Sequence, residues 1–191
     1  MKKYELTEET VTVYGKTLYR IRAVRDFGSV KTGEFGGYIE KEENLSHFGN
    51  AWISGDAWVY GDARVSGDAR VFDNAKVYGD AKVYGDARIS GDAWVYGNAW
   101  VYGNAWVYGN AEVFNTRHFF VQGPIGSRDG YVTFYRTKDD TIGVRCGCFS
   151  GSLQKFVDRV EETHGGSRYE KEYKIAAELA KVCIRLEGES R

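Results

Sequence analysis

The sequence contains few of the residues that mark a secreted protein, a metal site or a nucleic-acid-binding surface. Its 191 residues include one proline, three cysteines and three histidines, and the formal net charge is −1. A near-neutral charge is unfavourable for binding a nucleic-acid backbone, and three cysteines do not make a disulfide framework. No apolar run approaches the roughly 18 residues of a membrane helix, and the first ten residues lack the apolar segment of a signal peptide. We therefore expect a cytoplasmic protein with no membrane or nucleic-acid partner.

What the sequence has in abundance is repetition. Residues 93–110 read AWVYGNAWVYGNAWVYGN, and alanine recurs at every sixth position from Ala51 to Ala111, which gives eleven hexads over residues 51–116. A fixed six-residue period is typical of a parallel β-helix. Side chains alternate across a strand, so Ala and Val or Ile point inward, while the second and fourth residues of each hexad point outward. Gly followed by Asp or Asn forms the corner, because these residues tolerate positive φ.

This array resembles the left-handed parallel β-helix of hexapeptide-repeat proteins, with Val59 and Ala63 as an example of the matching inward pairs. It departs from the usual pattern because Tyr or Ser stands between the aliphatic residue and the Gly. The strings EFGGYIEKEENL, GPIGSR, RCGCFSGSL and ETHG extend the resemblance, over nearly the whole chain, to hexapeptide-repeat proteins of phages and prophages. The resemblance implies the left hand and a phage-associated context, with no established activity.

The segment 1–50 reads as an N-terminal β cap. Thr10–Tyr14 and Thr17–Val24 form a predicted hairpin with its turn at Gly15 and Lys16. Ile39–Asn44 and Leu45–Asn50 look like degenerate hexads that lead into the array. We therefore expect this segment to cover one open end of the β-helix, where unpaired backbone groups would otherwise be exposed.

The segment 117–191 reads as a small ββαα module. Tyr131–Thr137 and Thr141–Phe149 form a predicted hairpin, and the stretch before it is interpreted as a connection. The second strand is predicted to place Ile142, Val144, Cys146 and Cys148 on one face. Ser152 and Ser167 are predicted helix caps, and the second helix is expected to reach Leu186. The fold class is thus mainly β: a left-handed parallel β-helix with an N-terminal β cap and a C-terminal ββαα module.

Outward residues eighteen apart are expected to stack on one of three walls. The first wall includes Arg88 and Trp106, the second is rich in aromatic residues, and the third includes Lys82 and Trp100. Because a long exposed aromatic strip usually marks a contact surface, we predict that the second wall packs against another copy of the chain. Cross-strand stacking that only stiffens the coil is the alternative. The predicted interface residues are Trp58, Tyr60, Tyr78, Trp94, Tyr96 and Phe114.

A phosphate-binding pocket is predicted in the tail, with help from the walls beside it. The loop 124–128 contains a glycine, and its backbone N–H groups could bind an anion. Arginines on two neighbouring strands and at the start of the last helix add charge, and tryptophans add rings for stacking. An ordinary loop with solvated arginines is the alternative interpretation. The predicted ligand-binding residues are Ser127, Arg128, Arg136, Arg145, Arg168, Trp94, Trp100 and Arg88.

The histidines and acidic residues do not form a catalytic or metal-binding pattern. The array contains no histidine, whereas acyltransferases on this fold need a histidine base, and His47, His118 and His164 are widely separated. Cys146 and Cys148 have no further ligands at zinc spacing. We therefore predict no metal or cofactor and a non-catalytic oligomeric protein that captures a host nucleotide-like anion or a host defence protein. A structural element of a phage particle is the alternative, and an acyltransferase is a weaker one.

Overall fold

The hexads fold as a parallel β-solenoid with three walls, as the sequence predicted. The structure is a computed structural model and describes residues 2–186. Each hexad supplies one two-residue strand. The solenoid strands are β4 (Trp52–Ile53), β5 (Trp58–Val59), β6 (Arg64–Val65), β7 (Arg70–Val71), β8 (Lys76–Val77), β9 (Lys82–Val83), β10 (Arg88–Ile89), β11 (Trp94–Val95), β12 (Trp100–Val101), β13 (Trp106–Val107) and β14 (Glu112–Val113).

The walls follow the predicted eighteen-residue register. The first wall contains β4, β7, β10 and β13; the second contains β5, β8, β11 and β14; the third contains β6, β9 and β12. Arg88 pairs with Arg70 on one side and with Trp106 on the other. The Ala and Val or Ile columns are buried throughout the array, and each Val or Ile contributes roughly 1.5–3 kcal/mol through burial.

The corners favour glycine because successive coils approach closely at most of them. Gly91 has φ +70°, and a Cβ at this position would lie 2.9 Å from the backbone nitrogen of Gly109. An L-residue would therefore suffer both the positive φ and a backbone contact. This geometry favours glycine at every sixth position, although Asp73 occupies one corner with φ +60°.

The N-terminal cap continues the second wall beyond the solenoid. Its strands are β1 (Tyr4–Val13), β2 (Lys16–Ala23) and β3 (Phe35–Ile39). The first is longer than the predicted strand, the second is displaced by one residue from its predicted bounds, and the third, which lies outside the predicted hairpin, pairs in parallel with β5. The Lys3 ammonium donates to the Ala51 carbonyl over 2.7 Å and the Tyr4 hydroxyl donates to the Leu45 carbonyl over 2.8 Å. These side chains close the end of the core and satisfy carbonyls that would otherwise lack donors.

The tail has four strands, so the prediction of a ββαα module was wrong in its strand number. The segment interpreted as a connection contains β15, and Cys148 lies in the turn after β17, off the face of that strand. The second helix ends at Cys183, before the expected Leu186. The tail elements are β15 (Phe119–Ile125), β16 (Gly130–Arg136), β17 (Ile142–Cys146), β18 (Phe149–Ser152), α1 (Leu153–His164) and α2 (Arg168–Cys183).

The tail has its own core and docks on the last coil of the solenoid. Val132, Phe134 and Val144 pack against Phe156 of α1 and Ala177 of α2. The backbone N–H of Trp106 donates to the Thr133 hydroxyl over 2.9 Å, and the N–H of Lys138 donates to the Asn110 carbonyl over 3.0 Å. The tail thereby covers the second open end. No helix in the described part of the chain combines the length and apolar character needed to cross a bilayer.

Candidate functional site

A pocket of about 660 Å³ lies between the tail and the first wall of the solenoid. This volume falls within the roughly 300–1,000 Å³ of small-molecule sites. The solenoid contributes side chains from two successive coils, and the tail contributes its loop 127–131, the β17–β18 turn and both helices. The arginines among the lining residues are Arg88, Arg128, Arg145 and Arg159.

On the solenoid side, two of these arginines meet one indole ring. The Arg145 guanidinium lies 3.9 Å from the ring centroid of Trp106, and the Arg88 guanidinium lies 5.4 Å from it. The Trp106 Nε1–H donates to the hydroxyl of buried Ser90 over 3.0 Å, which fixes the orientation of the ring. Both arginines are therefore held over a rigid aromatic surface.

Three of the four pocket arginines make no ion pair within the described residues, whereas Arg159 pairs with Glu162 over 3.2 Å and Asp86 adds one carboxylate to the lining. None of the ion pairs within residues 2–186 involves Arg88, Arg128 or Arg145. The Nε of Arg145 is buried and has no hydrogen-bond partner in the same part of the chain. A buried donor without an acceptor is costly. The positive charge of Arg88, Arg128 and Arg145 in one cavity makes the pocket suited to a ligand that carries negative charge.

On the helix side, the pocket is lined by polar groups and aromatic rings, with Arg159 of α1 among the charged residues. Tyr173 and Cys146 both line this side and pack against the core of the tail. Burial raises the pKa of Tyr173 to about 12, and it also raises the pKa of the Cys146 thiol. His164 stacks on Tyr173 with ring centroids 5.7 Å apart, and Phe156 meets the same ring edge-on. This side therefore offers aromatic surface and hydrogen-bond donors, with Arg128 at its edge.

In the predicted backbone anion site, the N–H of the glycine is already occupied. Gly126 has φ +76°, and its N–H donates over 2.7 Å to the Glu172 carboxylate. An amide that already binds a carboxylate of its own chain is not free for a phosphate. Gly126 is nevertheless required here, because a Cβ would overlap the Tyr173 hydroxyl. Ser127 and Arg128 of the same loop line the pocket.

The structure brings together four of the eight predicted ligand-binding residues: Ser127, Arg128, Arg145 and Arg88. Arg136 lies elsewhere and is buried; its Nη1 donates to Glu112 over 2.7 Å and its Nε donates to Asp140 over 2.8 Å. This arginine links the tail to the solenoid, and its prediction as a pocket residue was wrong. The reason is that Arg136 and Arg145 occupy different ends of the β16–β17 hairpin.

Arg168, Trp94 and Trp100 also lie outside the pocket lining. The Arg168 side chain is exposed and pairs with Glu172 at 3.4 Å. Trp94 is on the second wall beneath Lys138, at 4.3 Å from the ammonium to the ring centroid, and Trp100 is on the third wall beneath Lys82, at 4.4 Å. Three-walled geometry separates hexads that are neighbours in sequence, so these rings cannot join Arg88 on the first wall.

Trp106 and His164 are among the pocket residues that were not predicted as ligand candidates from the sequence. Trp106 stands one coil beyond Arg88 in the eighteen-residue register, and this register could have identified it. His164 was interpreted as a helix-end residue, but it lines the pocket. No sequence signal could have placed His164 there, because its position depends on how α1 packs against the tail sheet.

The aromatic series of the second wall is a continuous stack. Ring centroids of Tyr60 and Tyr78 are 5.0 Å apart, those of Tyr78 and Tyr96 are 4.8 Å apart, and Phe114 continues the stack. Tyr60 is only 6% exposed because it is covered by the hairpin of β1 and β2, with which it shares a small core. It has little surface left for a second copy, contrary to the expected exposed strip. The interface at Trp58, Tyr78, Trp94, Tyr96 and Phe114 stays a prediction.

The other histidines occupy structural positions. His47 stacks on Tyr4 at 4.3 Å between ring centroids. His118 is buried beside Phe114, and burial lowers the pKa of its imidazole to about 4. Within residues 2–186 no group of three or more His, Cys, Asp or Glu side chains is arranged to hold a metal ion.

Comparison with known families agrees with the architecture of the repeat. The sequence model of a family described as YdcK Beta solenoid repeat matches residues 63–79, 81–97 and 93–109. All three segments lie within the hexads, so the match supports a repeat β-helix protein. The match does not extend to the tail. No curated protein matches the chain.

Proposed function

We propose that this repeat β-helix protein is a non-catalytic binding protein that captures an anionic, nucleotide-like ligand in its pocket. The observation that carries the proposal is the set of Arg88, Arg128 and Arg145, which lack carboxylate partners within residues 2–186 and lie beside the rings of Trp106 and Tyr173. Guanidinium groups bind phosphate oxygens in a bidentate manner, and aromatic rings stack on bases of any sequence. The two features together favour a ligand with a planar ring and a phosphate.

The titratable groups in the pocket favour binding over catalysis. Burial keeps the Cys146 thiol and the Tyr173 hydroxyl protonated at neutral pH, and a thiol is a poor nucleophile in that form. The resemblance to phage proteins suggests a role for this binding. By occupying its pocket with a nucleotide signal of the host cytoplasm, the protein would sequester that signal. An assay with acetyl-CoA tests the weaker alternative of an acyltransferase, and acyl transfer that depends on pocket residues would contradict the proposal.

The test begins with native mass spectrometry of the protein purified from its host cells. We expect a mass excess that is released on denaturation, followed by calorimetric binding of adenine nucleotides to the emptied protein. Arg145→Gln should weaken binding at least tenfold, because a charged hydrogen bond is lost. Arg168→Gln is the matched control, since that arginine lies outside the pocket lining. If the protein neither retains a ligand mass nor binds nucleotides, ligand capture is rejected. Capture of a host defence protein would then be the remaining form of the proposal.

A structural role in a phage particle is the second candidate. It is favoured by the aromatic side chains that the solenoid leaves exposed on its third wall, namely Tyr84, Trp100 and Tyr102. Arg128→Gln and Arg145→Gln distinguish the two roles, because assembly should survive both substitutions whereas ligand capture should not. Arg136 is unsuitable for this comparison, since its buried ion pairs support the fold.

A further inference from the structure

The pocket consists of two lobes on opposite faces of the tail sheet. Arg145 and Cys146 are consecutive residues of β17, and consecutive side chains of a strand point to opposite faces. Thr133, which pairs with Arg145 in the sheet, accepts a hydrogen bond from the backbone of Trp106. Cys146 instead packs against the core that the tail sheet shares with α1 and α2, as Tyr173 of α2 does. One lobe therefore faces the solenoid and the other faces the helices.

Each lobe has its own positive charge and its own ring. The solenoid lobe has Arg88 and Arg145 over Trp106. The helix lobe has Arg159 of α1 and Arg128, together with the stacked rings of Tyr173 and His164. Arg128 lies in the loop whose Gly126 N–H donates to Glu172 of α2. A ligand with one phosphate can satisfy the charge of one lobe only and would leave the other lobe without an anion.

The two lobes join around the end of the sheet, where two glycines leave the passage open. Gly130 begins β16 and Gly147 lies in the β17–β18 turn, and both line the pocket. A Cβ built at either glycine would meet no atom within 4 Å. The free space beside both glycines lets one molecule extend from one lobe to the other.

We infer that the ligand carries two separate anionic groups, one for each lobe, on either side of a planar or apolar body that passes the sheet end. A nucleoside with phosphates at two different positions has this chemistry. The inference rests on the proposed function and narrows its ligand class: a compact monophosphate should be the poorer ligand.

The test compares calorimetric affinities for three probes: adenosine 5′-monophosphate, adenosine 3′-monophosphate and adenosine 3′,5′-bisphosphate. We expect the bisphosphate to bind at least tenfold more tightly than either monophosphate. Arg145→Gln and Arg128→Gln should each weaken bisphosphate binding about tenfold or more, whereas each monophosphate should be sensitive to one of the two substitutions. Arg168→Gln should leave all three affinities unchanged.

A second variant tests the passage. Gly130→Leu adds a side chain at a position whose φ is not positive, and it should weaken bisphosphate binding while leaving monophosphate binding within about twofold. Thermal unfolding of each variant checks that the tail remains folded. Equal affinities for the bisphosphate and a monophosphate would overturn the two-anion inference and leave the proposed function standing. No binding of any probe would overturn nucleotide capture, and the inference with it.

Discussion

The Arg145 guanidinium stacks 3.9 Å above the centroid of the Trp106 ring, and this contact joins the tail to the first wall of the solenoid. One residue comes from the β17 strand and the other from the last strand of the first wall. The pocket lies where the two parts meet, so neither part contains it alone. Ligand binding and docking of the tail should therefore depend on the same pair.

The Arg145–Trp106 contact should be measurable as a coupling energy. We expect Arg145→Gln and Trp106→Leu together to destabilise the protein less than the sum of the single substitutions, by about 0.5–2 kcal/mol. Urea unfolding of the four proteins in the double-mutant cycle gives the coupling. Strict additivity would show that the stacking contributes nothing to tail docking.

Removing the buried arginine should be more damaging than removing an exposed one. Arg136→Met leaves Glu112 and Asp140 without their buried partner, and we expect a loss of about 3–5 kcal/mol in the free energy of unfolding. Arg168→Gln removes an exposed pair with Glu172 and should cost less than about 1 kcal/mol. Chemical denaturation measures both, and similar losses for the two variants would contradict the structural role of Arg136.

Substitution of Gly126 should lower stability more than substitution of a glycine that has the same backbone conformation. Gly126 and Gly166 have φ of +76° and +77°, but only a Cβ at Gly126 would overlap Tyr173. Both Ala variants have the strain of positive φ, about 1 kcal/mol. Gly126→Ala should cost a further 1–3 kcal/mol or so through overpacking and should displace the Tyr173 ring. Thermal unfolding and ligand affinity of the two variants test this prediction. Equal losses for Gly126→Ala and Gly166→Ala would contradict the role assigned to the Tyr173 contact.

Stability should fall in mild acid because His118 is buried as a neutral imidazole. Desolvation, followed by the nearby Arg136 charge, lowers the His118 pKa to about 4 in the folded state. The unfolded chain takes up this proton near pH 6.5, so it binds more protons than the folded chain between pH 6.5 and 4. The free energy of unfolding therefore decreases as pH falls through this window, by up to about 3 kcal/mol.

His118→Asn tests this titration because the Asn oxygen can replace the Nδ1 that accepts from the Phe114 N–H. The variant should lose much of the slope between pH 6.5 and 4. A smaller slope should remain from His47, whose pKa is also lowered by burial. Unfolding curves with equal pH dependence for wild type and variant would show that His118 does not carry the effect.

The second wall remains the predicted oligomer interface. Tyr96→Ser should reduce the native mass of the assembly, because an aromatic residue in the centre of an interface contributes about 2 kcal/mol or more. Trp100→Ser is the matched control on the third wall, where the ring is 44% exposed. Sedimentation velocity measures both variants. If Trp100→Ser dissociates the assembly and Tyr96→Ser does not, the interface lies on the third wall and the prediction is wrong.

Some tail elements escaped prediction for local reasons. β15 contains Gly123 and Pro124, which both disfavour strands, and it is tolerated because it lies at the edge of its sheet. Cys148 continues the alternation of β17 in sequence, but Gly147 adopts φ +54° and turns the chain before it. In both cases the pairing partners decide the structure, and these are not visible in the local pattern.

The sequence by itself determined the solenoid. A hexad encodes one short strand and one corner, and its neighbour in the stack is always eighteen residues away, so local spacing fixes both the burial of Ala and Val and the wall on which each outward residue stands. Only the tertiary structure decided the pocket. Arg128 and Arg145 reach Arg88 and Trp106 because the tail docks on the first wall, and that orientation depends on contacts such as the Trp106–Thr133 hydrogen bond, which join residues that no repeat relates.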